Sequence, residues 1–159
     1  MKFWQKTTKK DYRTVIDFKE QDEPDLRSEQ ECFPEIDPGV EILGDRVLVQ
    51  LRREKITSKG GIILVDETRQ TLRFNETVAK VISIGPLAYK SPEDLTPWVE
   101  GPWCKVGDLV RTIKYGGDRF VVQPEDDGAP VVFITLQARE VISKIKSFEA
   151  AQRMKAFVD

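Results

Sequence analysis

The chemistry open to this sequence is limited first by what it lacks. Its 159 residues include no histidine and only two cysteines. Without histidine there is no Ser-His-Asp or Cys-His nucleophile, and most catalytic zinc sites lose a ligand. Cys32 and Cys104 lie far apart, outside any CxxC or Cys/His grouping, which reads as two unpaired thiols in a reducing cytoplasm. Glu125-Asp126-Asp127 lacks the alternating ligand spacing of a calcium loop and reads as a solvated turn. "YGGDRF", residues 115–120, is glycine-rich, but it has neither the spacing nor the Lys-Ser/Thr of a phosphate loop. No carboxylates pair in a catalytic context. These residue types point away from an enzyme, and neither a cofactor nor a metal is expected.

What remains is the chemistry of apolar contact. In "TSKGGIILVDETRQ", residues 57–70, Gly60-Gly61 precedes Ile62-Ile63-Leu64-Val65 inside a connection spanning residues 54–76. Two glycines weaken a strand interior, and four aliphatic side chains are costly to leave in water. One reading is an apolar anchor on a flexible hinge that docks into a partner. Another is a further buried strand with Gly60-Gly61 as its turn. A third is a fixed loop held permanently by a neighbour. The second long connection, "PLAYKSPEDLTPWVEGPWCK" at residues 86–105, carries Trp98 and Trp103. They read either as a binding surface or as packing over a barrel opening. Loops this long within a compact domain are commonly functional or disordered.

The elements that must position these loops read as strands. "DRVLVQLRR" sets Val47, Val49 and Leu51 on one face and Leu48 on the other. "TVAKVISIG", "RFVVQ" and "VVFITL" are three more. "KVGDLVRTI" places a Val-Gly-Asp turn before a strand, with Leu109 and Ile113 expected on one face and Val110 on the other. "REVISKI" reads as a strand or a helix start. "KSFEAAQRMKAF" reads as a helix, with Phe148, Ala151 and Met154 at helical spacing. Short strands with Gly/Pro-rich connections predict an all-β fold, a small barrel or sandwich.

The ends differ from this body. Residues 1–13 carry five basic residues against one acid; residues 17–37 carry nine acids against two basic residues. Such a segment, residues 1–39, reads as an extended, solvated arm or one that docks on a neighbouring subunit. A barrel over residues 40–145 and a helical extension over residues 146–159 complete the predicted organisation. The net charge of -2 gives no basic field for nucleic acid. No apolar run approaches the roughly 18 residues that suggest a membrane span. The start has no apolar h-region, so a signal peptide is not expected.

The order of these motifs resembles the GroES-type co-chaperonin family, the small lids of chaperonin rings. "GDRVLVQ" is similar to the family's opening strand, "SKGGIIL" to its mobile loop, "AKVISIG" to the strand before its roof hairpin, and "KVGDLV" with Tyr115-Gly116 to its later turn motifs. The likeness covers residues 42–145. It implies a small irregular GroES-like β-barrel with a mobile loop and a roof loop. It also implies a homo-oligomeric, heptameric ring that caps a GroEL-like chaperonin and assists folding, the nucleotide being bound by that partner. Gly60, Gly61, Ile62, Ile63 and Leu64 would bind the chaperonin. Arg46, Val47, Leu48 and Val49 of one subunit would meet Val141, Ile142 and Ile145 of the next. The long arm, the tryptophan-rich roof and the C-terminal helix depart from the family and fit a divergent member, such as one carried by a phage. A virion decoration or ring component that reuses the barrel, bound to phage structural proteins, is the alternative.

Overall fold

The computed structural model describes residues 25–55, 73, 75–125 and 128–155. Six strands form one antiparallel sheet: β1 Arg46–Leu51, β2 Val78–Ile84, β3 Leu109–Thr112, β4 Asp118–Val122, β5 Val131–Gln137 and β6 Val141–Lys144. Their spatial order is β4-β5-β1-β2-β3-β6. Among the described residues two short helices flank the sheet, α1 Glu29–Cys32 and α2 Phe148–Arg153. The fold is all-β, as the sequence predicts.

One short link shows that the sheet is curled. β5 and β6 lie four positions apart in the sheet, yet only a 3-10 turn, Ala138–Glu140, joins them. In a flat sheet they would be about 19 Å apart, while residues 137–141 reach at most about 14 Å. The sheet must therefore bend back on itself. Bulges promote that bend by raising local twist. One lies at Leu48/Val49 in the β1–β2 pair and another at Arg111/Thr112 in the β3–β6 pair.

Strand alternation sorts the side chains onto two faces. Val47, Val49, Leu51, Ala79, Val81, Val110, Val132, Ile134 and Leu136 fill the core enclosed by the curled sheet. Leu48, Val131 and Phe133 point the other way and are covered by Ile36 and Ile42. Val78 and Leu109 are covered by Cys32, Phe33 and Ala151, with Phe148 and Met154 packed alongside. The segment before β1 and helix α2 thus form an outer layer over the barrel.

Two expectations change here. Ile113 packs with the Val110 core instead of sharing a face with Leu109. Ile113 lies just past the end of β3 at Thr112, where the strand's strict alternation no longer applies. Residues 25–39, read as an extended arm, contain a one-turn helix capped by Ser28 and Glu31. They pack on the chain's own barrel, so their order needs no neighbour.

Two glycines are required by geometry. Gly85 passes so close to Gly44 and Arg46 that a Cβ would fall on their carbonyl oxygens. Gly107 turns at φ +95° within the Val-Gly-Asp motif and donates to Val81 O at 2.8 Å. That turn also has the Lys105 N–H donating to the Asp108 carboxylate at 2.9 Å.

Candidate functional site

The Gly60, Gly61, Ile62, Ile63 and Leu64 of the apolar motif lie outside the described residues. The stems of their connection are described, and they hold the densest set of buried charges in the molecule's described part. β1 ends at Leu51, and the next residue, Arg52, turns inward. Its Nε and Nη2 meet the two Glu76 carboxylate oxygens at 3.0 and 3.2 Å. Glu76 immediately precedes β2, so this buried pair ties the outgoing stem to the returning one. Further out, Arg73 Nη2 reaches Glu54 Oε1 at 2.6 Å. Glu76 Oε1 also accepts from the Thr77 and Val78 N–H groups at 3.1 and 2.9 Å. A buried carboxylate needs such donors to offset its desolvation.

The chain ends grip the same stems. Arg52 Nη1 and Nη2 donate to the Ala151 and Met154 carbonyls at 2.8 and 2.7 Å. Those carbonyls belong to the last turn of α2 and its C-cap, where helix acceptors lack intrahelical partners. From the other side, Arg27 Nη1 donates to Arg53 O at 2.7 Å and to Glu54 O at 3.2 Å. The Arg53 N–H donates to Cys32 O at 2.8 Å, and Arg53 Nε to Ala129 O at 2.8 Å. The two ends also bond to each other: Asp25 N–H donates to Gln152 O at 2.8 Å.

Arg27 is held in place by Asp25. Its Nε and Nη2 reach the Asp25 carboxylate at 3.0 and 2.7 Å. Burial alone would raise the Asp25 pKa, but hydrogen bonding and charge from Arg27 overcome it and hold the carboxyl down at about 2. Cys32 Sγ lies 3.9 Å from the same carboxylate. Burial, reinforced by that negative charge, pushes the thiol up to about 11. Cys32 is a free, buried thiol, in line with its reading as unpaired.

The roof connection is assembled differently. Tyr89, Trp98 and Trp103 form a ring cluster, with centroids 5.4 Å apart for Tyr89–Trp98 and 5.2 Å for Trp98–Trp103. The Arg139 guanidinium sits 5.4 Å from the Trp98 ring centroid. Tyr89 Oη donates to Ala138 O at 3.1 Å and lies 3.3 Å from Cys104 Sγ. Burial, then the contact with Cys104, raises the phenol above its ordinary range. Of the two readings for the tryptophans, packing over the core is what the structure has. Trp98 lies against the enclosed core, and Trp103 stays 36% exposed.

Residues 39–145 match the family described as Chaperonin 10 Kd subunit. The chain belongs to that family. It is 30% identical over 104 residues to Co-chaperonin GroES of Chlamydia pneumoniae, covering 65% of this chain and 88% of that one. It is 32% identical over 101 residues to Co-chaperonin GroES of Chlamydia felis, covering 64% and 85%. The GroES of Lactobacillus acidophilus is 32% identical over 92 residues, covering 54% and 89%. This is not a family of enzymes. Of the residues that grip the stems, Arg27, Cys32, Ala151 and Met154 fall beyond the matched part of this co-chaperonin, whereas Ala129 lies within it.

The predicted subunit interface needs correction. β1 of the co-chaperonin pairs with β2 on one edge and β5 on the other. Its backbone is saturated within the subunit, so a neighbour's Val141–Lys144 has no edge of β1 to join. Val47, Leu48 and Val49 are fully buried in the chain's own cores. Arg46 is exposed. Val141 and Ile145 are buried, whereas Ile142 is 62% exposed on β6, an edge strand. The stem residues themselves were missed by sequence reasoning. The nearest signal was Ser28-x-x-Glu31, a capping-box pattern that marks a helix start in the supposed arm.

Proposed function

We propose that this co-chaperonin caps a GroEL-like chaperonin ring, acting in the cytoplasm as a homo-oligomeric, heptameric ring that assists protein folding. In this reading Gly60 and Gly61 serve as the hinge, and Ile62, Ile63 and Leu64 enter an apolar groove on the partner. The observation that carries this reading is the family match across residues 39–145, joined to an aliphatic motif within the connection between β1 and β2. The nucleotide is bound and hydrolysed by the partner, and the lid supplies no catalytic group.

The energetics suit a ring. Burying three aliphatic side chains gains about 5–9 kcal/mol gross. Ordering the backbone of each docking residue costs about 1–2 kcal/mol. A single loop therefore binds weakly, and several loops on one ring bind tightly because each later contact is intramolecular. For ring assembly the free edge of β6, with Ile142, is the better surface. It pairs with a neighbour's residues 40–43, where Val40 and Leu43 are exposed ahead of β1.

The virion alternative rests on the N-terminal arm, the extended roof and the C-terminal helix; of that arm, residues 25–39 pack against their own barrel, which weakens its use as a tether to a neighbour. Mixing the protein with a chaperonin and ATP, then imaging, tests the reading: capped rings are expected. Ile63→Ser should abolish capping while leaving oligomer mass and thermal midpoint unchanged, since a hydroxyl is unfavourable in an apolar groove. Undiminished capping by Ile63→Ser would sink the assignment of the loop, and a collapsed thermal transition would show a core strand.

A further inference from the structure

We infer that Arg27 is a positioning residue for partner binding, fastening the stems of the loop from a segment that the family match does not reach. The inference rests on the proposed role of residues 60–64. Arg27 has donors that span both a carboxylate in the added N-terminal segment and two carbonyls of the outgoing stem. Asp25 fixes its orientation through Nε and Nη2, leaving Nη1 for Arg53 O and Glu54 O. The planar fork allows this division of labour; a single ammonium cannot serve both sides at once.

The segment carrying Arg27 is itself tied down. Asp25 N–H bonds to Gln152 O, Gln152 Nε2 donates to Arg27 O at 3.3 Å, and Cys32 and Phe33 are buried against α2. The Arg53 N–H, bonded to Cys32 O, adds a second tie to the same stem. Across the loop, Arg52–Glu76 and Arg73–Glu54 join the stems to one another. Together these contacts tie down Arg52, Arg53, Glu54, Arg73 and Glu76 at the base of the connection.

A binding loop whose stems are already ordered loses less freedom when it docks, so the stem contacts raise partner affinity without touching the partner. The expected effect is modest for one loop, about a fivefold change in affinity. It is compounded across a ring in which several loops engage together.

The test uses the full chain with Arg27→Met, which keeps the aliphatic stem, and Arg27→Lys, which keeps the charge. In Arg27→Met, amide hydrogen exchange at residues 53–55 should quicken while β1 and β5 keep their protection. Oligomer mass should be unchanged, and affinity for a nucleotide-loaded chaperonin should fall by about fivefold per loop. Arg27→Lys should recover only part of both changes. Unaltered exchange at residues 53–55, or faster exchange with wild-type affinity, overturns the inference. If Arg27→Met fails to fold, Arg27→Lys carries the comparison on the same two readouts. A wild-type protein that does not bind chaperonin overturns the functional reading, and the role given to Arg27 with it. A binding wild type with an equally tight variant overturns the role alone.

Discussion

At the loop stems the contacts are guanidinium to carboxylate and guanidinium to carbonyl; across the roof they are ring against ring. Arg52 reaches Glu76, Ala151 and Met154 with donors of fixed direction. Tyr89, Trp98 and Trp103 meet at centroid distances of 5.2–5.7 Å, with interplanar angles from 40° to 83°. The first arrangement tolerates one geometry and is costly to break on one side, because a buried charge is left behind. The second gains from area and accepts several orientations. A stem that must hold a loop in one register suits the former, and a cover over a core suits the latter.

The most damaging way to break the stems is Arg52→Ala. It leaves the buried Glu76 carboxylate without its counter-ion and takes a donor from the Ala151 and Met154 carbonyls, and should cost about 3 kcal/mol of unfolding free energy in a denaturant titration. The corresponding break in the roof, Trp98→Ala, should cost about 2 kcal/mol, less than a fully buried aromatic because Trp98 is half-exposed. Its loss should leave the stem amides protected.

Acid separates the two regions more sharply. Asp25 has a folded pKa of about 2 against an ordinary value of 3.8. A depressed carboxylate contributes stability above the unfolded pKa and loses it as pH falls through the folded one. The groups facing Asp25 are Arg27, Cys32 and Lys55. About 2 kcal/mol should therefore disappear between pH 4 and pH 2. The N-terminal segment should loosen over that window in pH-dependent hydrogen exchange while tryptophan fluorescence from the roof holds steady. Asp25→Asn should remove that pH dependence. A parallel fluorescence change would mean that the two regions do not respond separately.

Smaller still is Tyr89→Phe, which removes the bond to Ala138 O and should cost about 1 kcal/mol. Smallest is the coupling between regions. The double variant Arg52→Ala with Trp98→Ala should be additive within about 0.5 kcal/mol, since the two sites share no partner.

Much of the barrel was legible because period-two alternation speaks directly to a two-faced sheet. Val47, Val49 and Leu51 against Leu48 came out as read, as did the spacing of Phe148, Ala151 and Met154. Ile113 did not, since β3 ends at Thr112 and its alternation does not carry past that end. The outer layer was illegible for another reason. Residues 17–37 look too acidic to pack, yet within the described part, residues 25–37, Cys32, Phe33 and Ile36 anchor the segment once α2 and the outer face of the sheet supply partners. Arg27, Arg52 and Glu76 gave no signal, because arginines and glutamates flanking strands are common and only the fold brings these together. The strand-pairing error at Arg46, Val47, Leu48 and Val49 came from treating the first strand in sequence as an edge, whereas β1 is interior to the sheet.

The bond between Asp25 and Gln152 has a consequence for connectivity. Residues near the two ends of the described fold are neighbours, so the order in which the chain visits its strands is close to a closed circuit. A circuit can be opened elsewhere. Joining residue 155 to residue 25 through a short flexible linker, and cutting at the exposed turn of Pro92, Glu93 and Asp94, rearranges the sequence without disturbing a strand. Such a permuted chain should fold to the same sheet, with its new ends at the roof and its old ones fused beneath the loop.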